Sequence, residues 1–380
     1  MLKLFVYLSN KLGLIPSMNG QKNRLLFIGP THLGDLLLAT PAIRFTKQAN
    51  PSLEIICIAS SSSKGVLADN PYIDGVEIVD LPWFHERQAG FIRSIQIFFS
   101  WVRLIKKVKA EMGINFSSTS YHREHLAMWL AGIPNRVGFS HKGFDYLLTK
   151  TVPFIQGELI ARQKLRMMKT CLGIESDCDS LIPNLFIHPS EEVKAGQIFE
   201  NLDLLLGKPI IGINPGAQHN YLWPEEHFIQ LCKMIFKQWQ ANFLFFGTKN
   251  TEIVIERIRA NLDFKTFSVV GLTSLKEFAA MLRKIDLLIT IDTGARHIAN
   301  AVGIRTVVLR HGADSVIEFG KYVATEKVLY YSLPCSPCGK ITCPLGTLDC
   351  MIQMSPEMVM KAVTKVLANA EQELFQYDTK

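Results

Sequence analysis

The amino-acid sequence predicts an α/β protein of two parallel-sheet domains, and three observations predict it. From Arg24 onward, short apolar runs alternate with amphipathic stretches at helical spacing, the pattern of a parallel sheet with crossover helices. The periodicity weakens around Ile182-Pro183-Asn184 and again at Gly207-Lys208-Pro209, and a second alternating set begins at Ile210. At 380 residues the chain also exceeds one ordinary domain and is long enough for two separate cores.

In the first set the apolar runs Leu25–Ile28, Glu54–Ile58, Val76–Val79 and Met112–Phe116 read as strands. In the second set the strand candidates are Ile210–Ile213, Phe243–Phe246, Ser268–Val270, Leu287–Ile291 and Thr306–Leu309. Ser190–Leu206, between the two sets, reads as a helix. The resulting plan is an N-terminal extension (1–23), a first domain (24–185), a linker region (186–208), a second domain (209–365) and a C-terminal tail (366–380). Loops at the carboxyl ends of parallel strands carry function, so the plan is two Rossmann-like domains facing each other across a cleft.

Composition narrows the function classes. Hydrophobic residues make up 48% and charged residues 20%, which excludes dominant disorder. The net charge of +7, from 41 basic against 34 acidic residues, favours an anionic ligand or surface without indicating a nucleic-acid binder. No apolar run is long enough to span a bilayer, and the N-terminal apolar stretch is interrupted by Asn10 and Lys11 with no cleavage site after it. A cytoplasmic location is therefore expected. Of eight cysteines, Cys335, Cys338, Cys343 and Cys350 fall close together as Cys-x2-Cys-x4-Cys-x6-Cys. That spacing makes them a structural zinc candidate, with thiols that simply fill a turn-rich loop as the other reading.

Three loops each follow a strand and open a helix. They are Gly29-Pro30-Thr31-His32-Leu33-Gly34-Asp35, then Asn214-Pro215-Gly216-Ala217, and finally Asp292-Thr293-Gly294-Ala295-Arg296-His297. None matches the dinucleotide pattern Gly-x-Gly-x-x-Gly or a P-loop, so a dehydrogenase or ATPase lacks its main support. In the third loop, Asp292 and Thr293 can cap the following helix, whose free N–H groups make an anion seat. Gly294 lets a ligand approach, and His297 can point at it one turn on.

The order of these motifs resembles the bacterial heptosyltransferases, glycosyltransferase family 9. The elements that carry the resemblance are Leu33-Gly34-Asp35 running on to Thr40-Pro41-Ala42, Pro134-Asn135-Arg136-Val137-Gly138-Phe139, and Asn214-Pro215-Gly216-Ala217 with Trp223-Pro224. Thr273-Ser274-Leu275-Lys276-Glu277, Asp292-Thr293-Gly294-x-x-His297, Gly312-Ala313-Asp314 and Cys335-Ser336-Pro337-Cys338 follow in order, so the likeness spans about residues 24 to 360. The resemblance implies a GT-B fold, an acceptor-side first domain and a donor-binding second domain. It also implies an inverting enzyme that needs no metal or other cofactor, moving a heptose or related sugar from a nucleotide-sugar resembling ADP-heptose to a lipopolysaccharide core or other surface glycan.

On this resemblance Asp35, after Gly34 on the acceptor side, is the general base, the other reading being a cap of a helix that begins at Leu36; His32, where the loop departs from the family's pattern, is an acceptor-side candidate that could assist Asp35 or bind an anionic acceptor. Gly216, Ala217, Glu252, Asp292, Thr293, Gly294 and His297 line the donor site, Glu252 being placed to accept from a ribose hydroxyl. One departure stands out. Many members carry a basic residue just before Trp-Pro, where this chain has Tyr221 and Leu222; a lost cation weakens donor binding unless another replaces it, and His219, Lys249, Arg296 and Arg310 are the basic residues nearby in sequence. That gap keeps a noncatalytic nucleotide-sugar binder or scaffold as the alternative. Lastly, Phe91–Lys109 is a basic amphipathic segment that either packs as a crossover helix or rests on the inner face of an anionic membrane beside a lipid-linked acceptor, with Leu2–Ile15 as a second such segment.

Overall fold

The computed structural model describes residues 21–29, 32–80, 91–117, 122–140, 144–174, 180–216, 221–340 and 342–377. Two compact units divide the chain, Met1–Phe186 and Ile187–Lys380.

In the first unit the strands are β1 (Gln21–Ile28), β2 (Glu54–Ala59), β3 (Gly75–Ile78), β4 (Ala110–Asn115), β5 (Asn135–Phe139) and β6 (Lys150–Val152). They form one parallel sheet in the order β3-β2-β1-β4-β5-β6. The helices are α1 (Leu33–Leu37), α2 (Thr40–Ala49), α3 (Lys64–Leu67), α4 (Phe91–Val108), α5 (His122–Leu130) and α6 (Ile160–Leu172). Leu25 to Ile28 are all buried, as a central strand covered on both faces requires. At its polar start, register pairs Arg24 with Glu54 on β2, and the guanidinium grips the carboxylate through Nε and Nη2 at 2.8 and 2.7 Å.

The second unit repeats the plan with β7 (Ile210–Asn214), β8 (Asn242–Phe245), β9 (Thr266–Ser268), β10 (Leu287–Ile291), β11 (Thr306–Arg310) and β12 (Glu326–Tyr330). Its order from the β9 edge is β9-β8-β7-β10-β11-β12, again parallel throughout. Its helices are α7 (Pro189–Glu200), α8 (Glu225–Trp239), α9 (Glu252–Ala260), α10 (Leu275–Leu282), α11 (Gly294–Val302), α12 (Asp349–Ile352) and α13 (Pro356–Tyr377). Both sheets therefore have the doubly wound order, with a switch point between β1 and β4 in one and between β7 and β10 in the other.

Two expected boundaries move. The segment taken as a linker, 186–208, belongs to the second unit: Pro189 and a His188 capping box start α7, which packs on α10 with Lys194–Glu277 and Glu192–Arg283 ion pairs. The tail taken to begin at 366 is instead the continuation of α13, which buries Val359, Val363 and Leu367 at helical spacing. Three strands lie outside the expected set, β5, β6 and β12. β5 escapes an apolar search because Arg136 is buried within it, donating to the carbonyls of Leu147 and Ile133 at 2.7 and 2.6 Å. β12 escapes because it opens with the buried Glu326, whose partner is far away in sequence.

Candidate functional site

In the second unit the carboxyl ends of β7 and β10 meet through a buried polar pair, Asn214 Nδ2 donating to Thr290 Oγ1 at 3.0 Å. Just beyond, Gly216 cannot be anything larger without rearrangement, since a Cβ there would lie 2.7 Å from Thr251 Cγ2. Thr251 in turn closes the loop after β8, donating to the Thr248 carbonyl at 2.8 Å and accepting from the Thr248 N–H at 3.0 Å. The backbone thus comes close at the switch point, as a seat for a nucleotide requires. Glu252 follows this turn, exposed at the first residue of α9. It stands beyond β8, the strand paired with β7. Ala217 and His219 lie outside the described residues.

The loop after β10 differs from expectation in what its side chains do. Asp292 does not cap α11. Its carboxylate, only 9% exposed, turns inward to Arg296 Nη1 and Arg310 Nη1, each at 3.1 Å. Arg296, fully buried, also grips Glu326 through Nε and Nη2 at 2.5 and 2.9 Å and donates to the carbonyls of Phe319 and Gly320. Arg310, equally buried, donates to the carbonyls of Phe319 and Ser315. Two acids and two arginines balance one another, which is how such charges tolerate burial. Burial alone would push the Asp292 carboxyl up, but Arg296 and Arg310 outweigh it and hold the group below the usual carboxylate range. Arg296 and Arg310 are therefore structural cations, not replacements for a donor-phosphate cation.

What the network builds is the turn itself. Thr293 holds the N-cap position of α11 with extended backbone and no side-chain capping bond. The first intraturn bond is Arg296 N–H to Thr293 O at 3.1 Å, so the N–H groups of Gly294 and Ala295 open the helix ahead of it, and free N–H groups at a helix start suit an anion. His297, in the first turn of α11, is 6% exposed, its ring edge-on to Tyr322 at 5.9 Å.

Tyr221 and Leu222 are likewise resolved. Tyr221 is buried, stacks on His311 at 4.7 Å, and donates its hydroxyl to the Lys340 carbonyl at 2.7 Å. Trp223 donates Nε1 to the Met354 carbonyl at 2.7 Å. Together they anchor the segment that carries the cysteines, while Leu222 is exposed. Among the described residues no group of three or more His, Cys, Asp or Glu side chains is disposed to hold a metal ion, while Cys343, Cys335 and Cys338 of the zinc candidate lie close enough to Cys350 to act on its thiol electrostatically. The Cys350 side chain lies under Gly312, where a Cβ would meet its Cβ at 3.1 Å, and the Cys338 N–H donates to Gly312 O at 3.1 Å. Backbone N–H groups of Leu348, Leu345, Gly346 and Thr347 draw the Cys343 thiol below its ordinary range. Of the four candidate cations, Lys249 remains exposed, beside the loop after β8.

In the first unit the corresponding loop leaves β1 through Gly29, whose φ of +99° and a would-be Cβ 2.7 Å from Asn115 Oδ1 both demand glycine. His32 is exposed at the N-cap of α1 with no side-chain capping bond. Gly34 and Asp35 lie inside the first turn, so Asp35 is not the cap of a helix that begins at Leu36. Its carboxylate is half-exposed at the amino end of α1 and has no hydrogen-bond partner among the described residues.

The model of glycosyltransferase family 9 (heptosyltransferase) matches residues 127–349, more than half of the chain, including Gly216, Glu252 and Asp292–His297. Lipooligosaccharide heptosyltransferase 2 of Haemophilus influenzae is 27% identical over 304 residues, 77% of this chain and 84% of the relative. A family 9 glycosyl transferase structure from Veillonella parvula superposes with a TM-score of 0.79 at 24% identity, covering 93% of this chain and 99% of that one. The E. coli ADP-heptose lps heptosyltransferase II structure gives a TM-score of 0.71 at 18% identity, covering 92% and 99%. The likeness to these structures shows the GT-B fold.

Proposed function

Because the chain belongs to glycosyltransferase family 9, the heptosyltransferases, we propose that this glycosyltransferase moves a heptose or related sugar from a nucleotide-sugar to a lipopolysaccharide core or similar surface glycan. One observation carries the reading: the Asp35 turn and the Asp292–His297 turn each follow a switch-point strand of a doubly wound sheet. In the reaction the acceptor hydroxyl oxygen attacks the anomeric carbon and Asp35 takes its proton. The bond from that carbon to the diphosphate oxygen breaks, and the N–H groups of Gly294 and Ala295 with His297 hold the departing charge. A single displacement inverts the anomeric centre. Gly216 and Thr293 shape the donor seat, Glu252 accepts from the ribose, and Gly34 and His32 border the acceptor. No cofactor is needed on this route, the nucleotide-sugar being a substrate.

The donor is ADP-heptose or close to it, by analogy with the E. coli relative. A thermal-shift screen of nucleotide-sugars tests this, because a ligand that binds only the folded state raises its stability with concentration. We expect the ADP-linked heptose to give the largest shift. No shift with any ADP-, GDP- or UDP-sugar would sink the reading. The alternative, a noncatalytic binder, draws on the fact that Tyr221 is an internal anchor and Arg296 and Arg310 are used within the fold.

A membrane contact belongs to the same reading. Helix α4 buries Trp101, Val102, Ile105 and Val108 against the first sheet as a crossover helix must. Its outer face exposes Ile92 (74%), Ile95 and Phe99, followed by Arg103, Lys106 and Lys107. Among the described residues no helix is long and apolar enough to cross a membrane. Such a face suits the anionic cytoplasmic side of an inner membrane, where a lipid-linked acceptor is presented. Each basic residue near such a surface is worth about 1 kcal/mol, so Lys106→Gln with Lys107→Gln lowers partition onto anionic vesicles by roughly tenfold or more. Co-sedimentation checks it; unchanged partition would remove α4 from the contact.

A further inference from the structure

Lys164 is a buried ionisable group that the proposed reaction leaves unused. It lies on the inner face of α6, 1% exposed, a rare setting for a lysine without a partner. Its partner is distant in sequence: Nζ donates to the backbone carbonyl of Asp35 at 2.6 Å.

Local sequence explains why that carbonyl is open. Pro41 has no N–H, and its ring bars a helix from running straight through from α1. The chain therefore kinks between α1 and α2. Leu38 N–H returns to Gly34 O at 3.0 Å, and Ala39 N–H reaches Leu36 O at 3.0 Å, so the ladder passes over Asp35 O. Thr40 Oγ1 fills the Leu37 carbonyl at 2.7 Å, and Lys164 fills that of Asp35.

Resting on the reading of Asp35 as the base, we propose that Lys164 is its positioning residue, an ammonium that clamps the Asp35 main chain to α6 and so fixes where the carboxylate meets the acceptor. Elements packed on α6 carry other ionisable groups, each held elsewhere: Arg44 by the Ser180 carbonyl, Lys47 by Asp74 and Lys150 by the Thr170 carbonyl. Burial lowers the Lys164 amine to about 8, and the charge of Asp35 opposes that fall. As pH rises through that value the amine loses its charge but keeps N–H groups, so the charge-assisted bond to Asp35 O becomes an ordinary, weaker one.

The test compares Lys164→Met and Lys164→Gln with Asp35→Asn, using the full-length protein, a nucleotide-sugar it turns over and its acceptor. A lost charge-assisted bond and a shifted base predict a fall in kcat of about 10–100-fold for Lys164→Met, with KM for both substrates nearly unchanged. Lys164→Gln, which keeps a neutral donor, falls less. The wild-type profile of kcat against pH declines on the alkaline side near 8, and both variants lack that decline. Should Lys164→Met not fold, Lys164→Gln carries the same readouts. A lower unfolding temperature with kcat and the alkaline decline intact would overturn the proposal and leave Lys164 a packing residue. Normal turnover in Asp35→Asn would instead overturn the base, a result distinct from an inactive Asp35→Asn beside a fully active Lys164→Met.

Discussion

Replacing Asp35 with asparagine lowers kcat by about 10²–10⁴-fold, the range a positioned general base supplies. Asparagine has the same shape and cannot take a proton at neutral pH. The substitution breaks no hydrogen bond among the described residues, because the tie from Lys164 is to the Asp35 carbonyl of the main chain; it removes only the charge that supports the buried Lys164 ammonium. Donor affinity stays near normal, since the donor groups Gly216, Glu252 and Gly294 to His297 all belong to the second unit. Steady-state turnover, with donor titration and thermal unfolding as controls, checks each part. Near-normal turnover removes Asp35 from the mechanism.

Asp292→Ala, by contrast, acts on the fold before it acts on the donor. It leaves Arg310 without its carboxylate and Arg296 with Glu326 alone, both arginines fully buried. Removing one partner of a buried ion pair costs about 3–5 kcal/mol. The same network makes stability depend on pH. Because Arg296 and Arg310 hold the Asp292 carboxyl below its unfolded value, its contribution is fully present above that unfolded value and is lost as pH falls through the folded one. The difference in unfolding midpoint between wild type and Asp292→Asn should therefore be wide near neutrality and narrow below about pH 4. Lost donor binding at unchanged stability would mean that Asp292 meets the ligand directly.

Much of the architecture was legible because parallel strands covered on both faces are apolar from end to end. Leu25–Ile28 and Leu287–Ile291 announce themselves, and the turns after them could be picked out as functional loops. What stayed hidden was the direction of polar side chains. Asp292 reads as a cap until Arg310 and Glu326, which sit on other strands, are seen to enclose Arg296. A signal was present: Arg296 stands four residues after Asp292, one helical turn on, and Arg310 ends an apolar strand, so each needed a buried partner. β5 and β12 were masked for the same reason, Arg136 and Glu326 being polar residues in buried places. Tyr221 looked like a missing cation, yet it is an anchor whose role depends on Lys340 and His311 far along the chain. Lys164 had no local signal at all, because the carbonyl it fills is left open by a turn on another helix, where Ala39 N–H goes to Leu36 O instead of Asp35 O.

The most direct test of the account is mass analysis of a heptose-deficient lipopolysaccharide acceptor after incubation with wild-type protein and ADP-heptose. The account predicts a gain of one heptose per acceptor, released ADP in equal amount, and a product with the anomeric configuration opposite to the donor's. Donor binding with neither transfer nor hydrolysis, across a broad panel of acceptors, would contradict it and favour the noncatalytic binder.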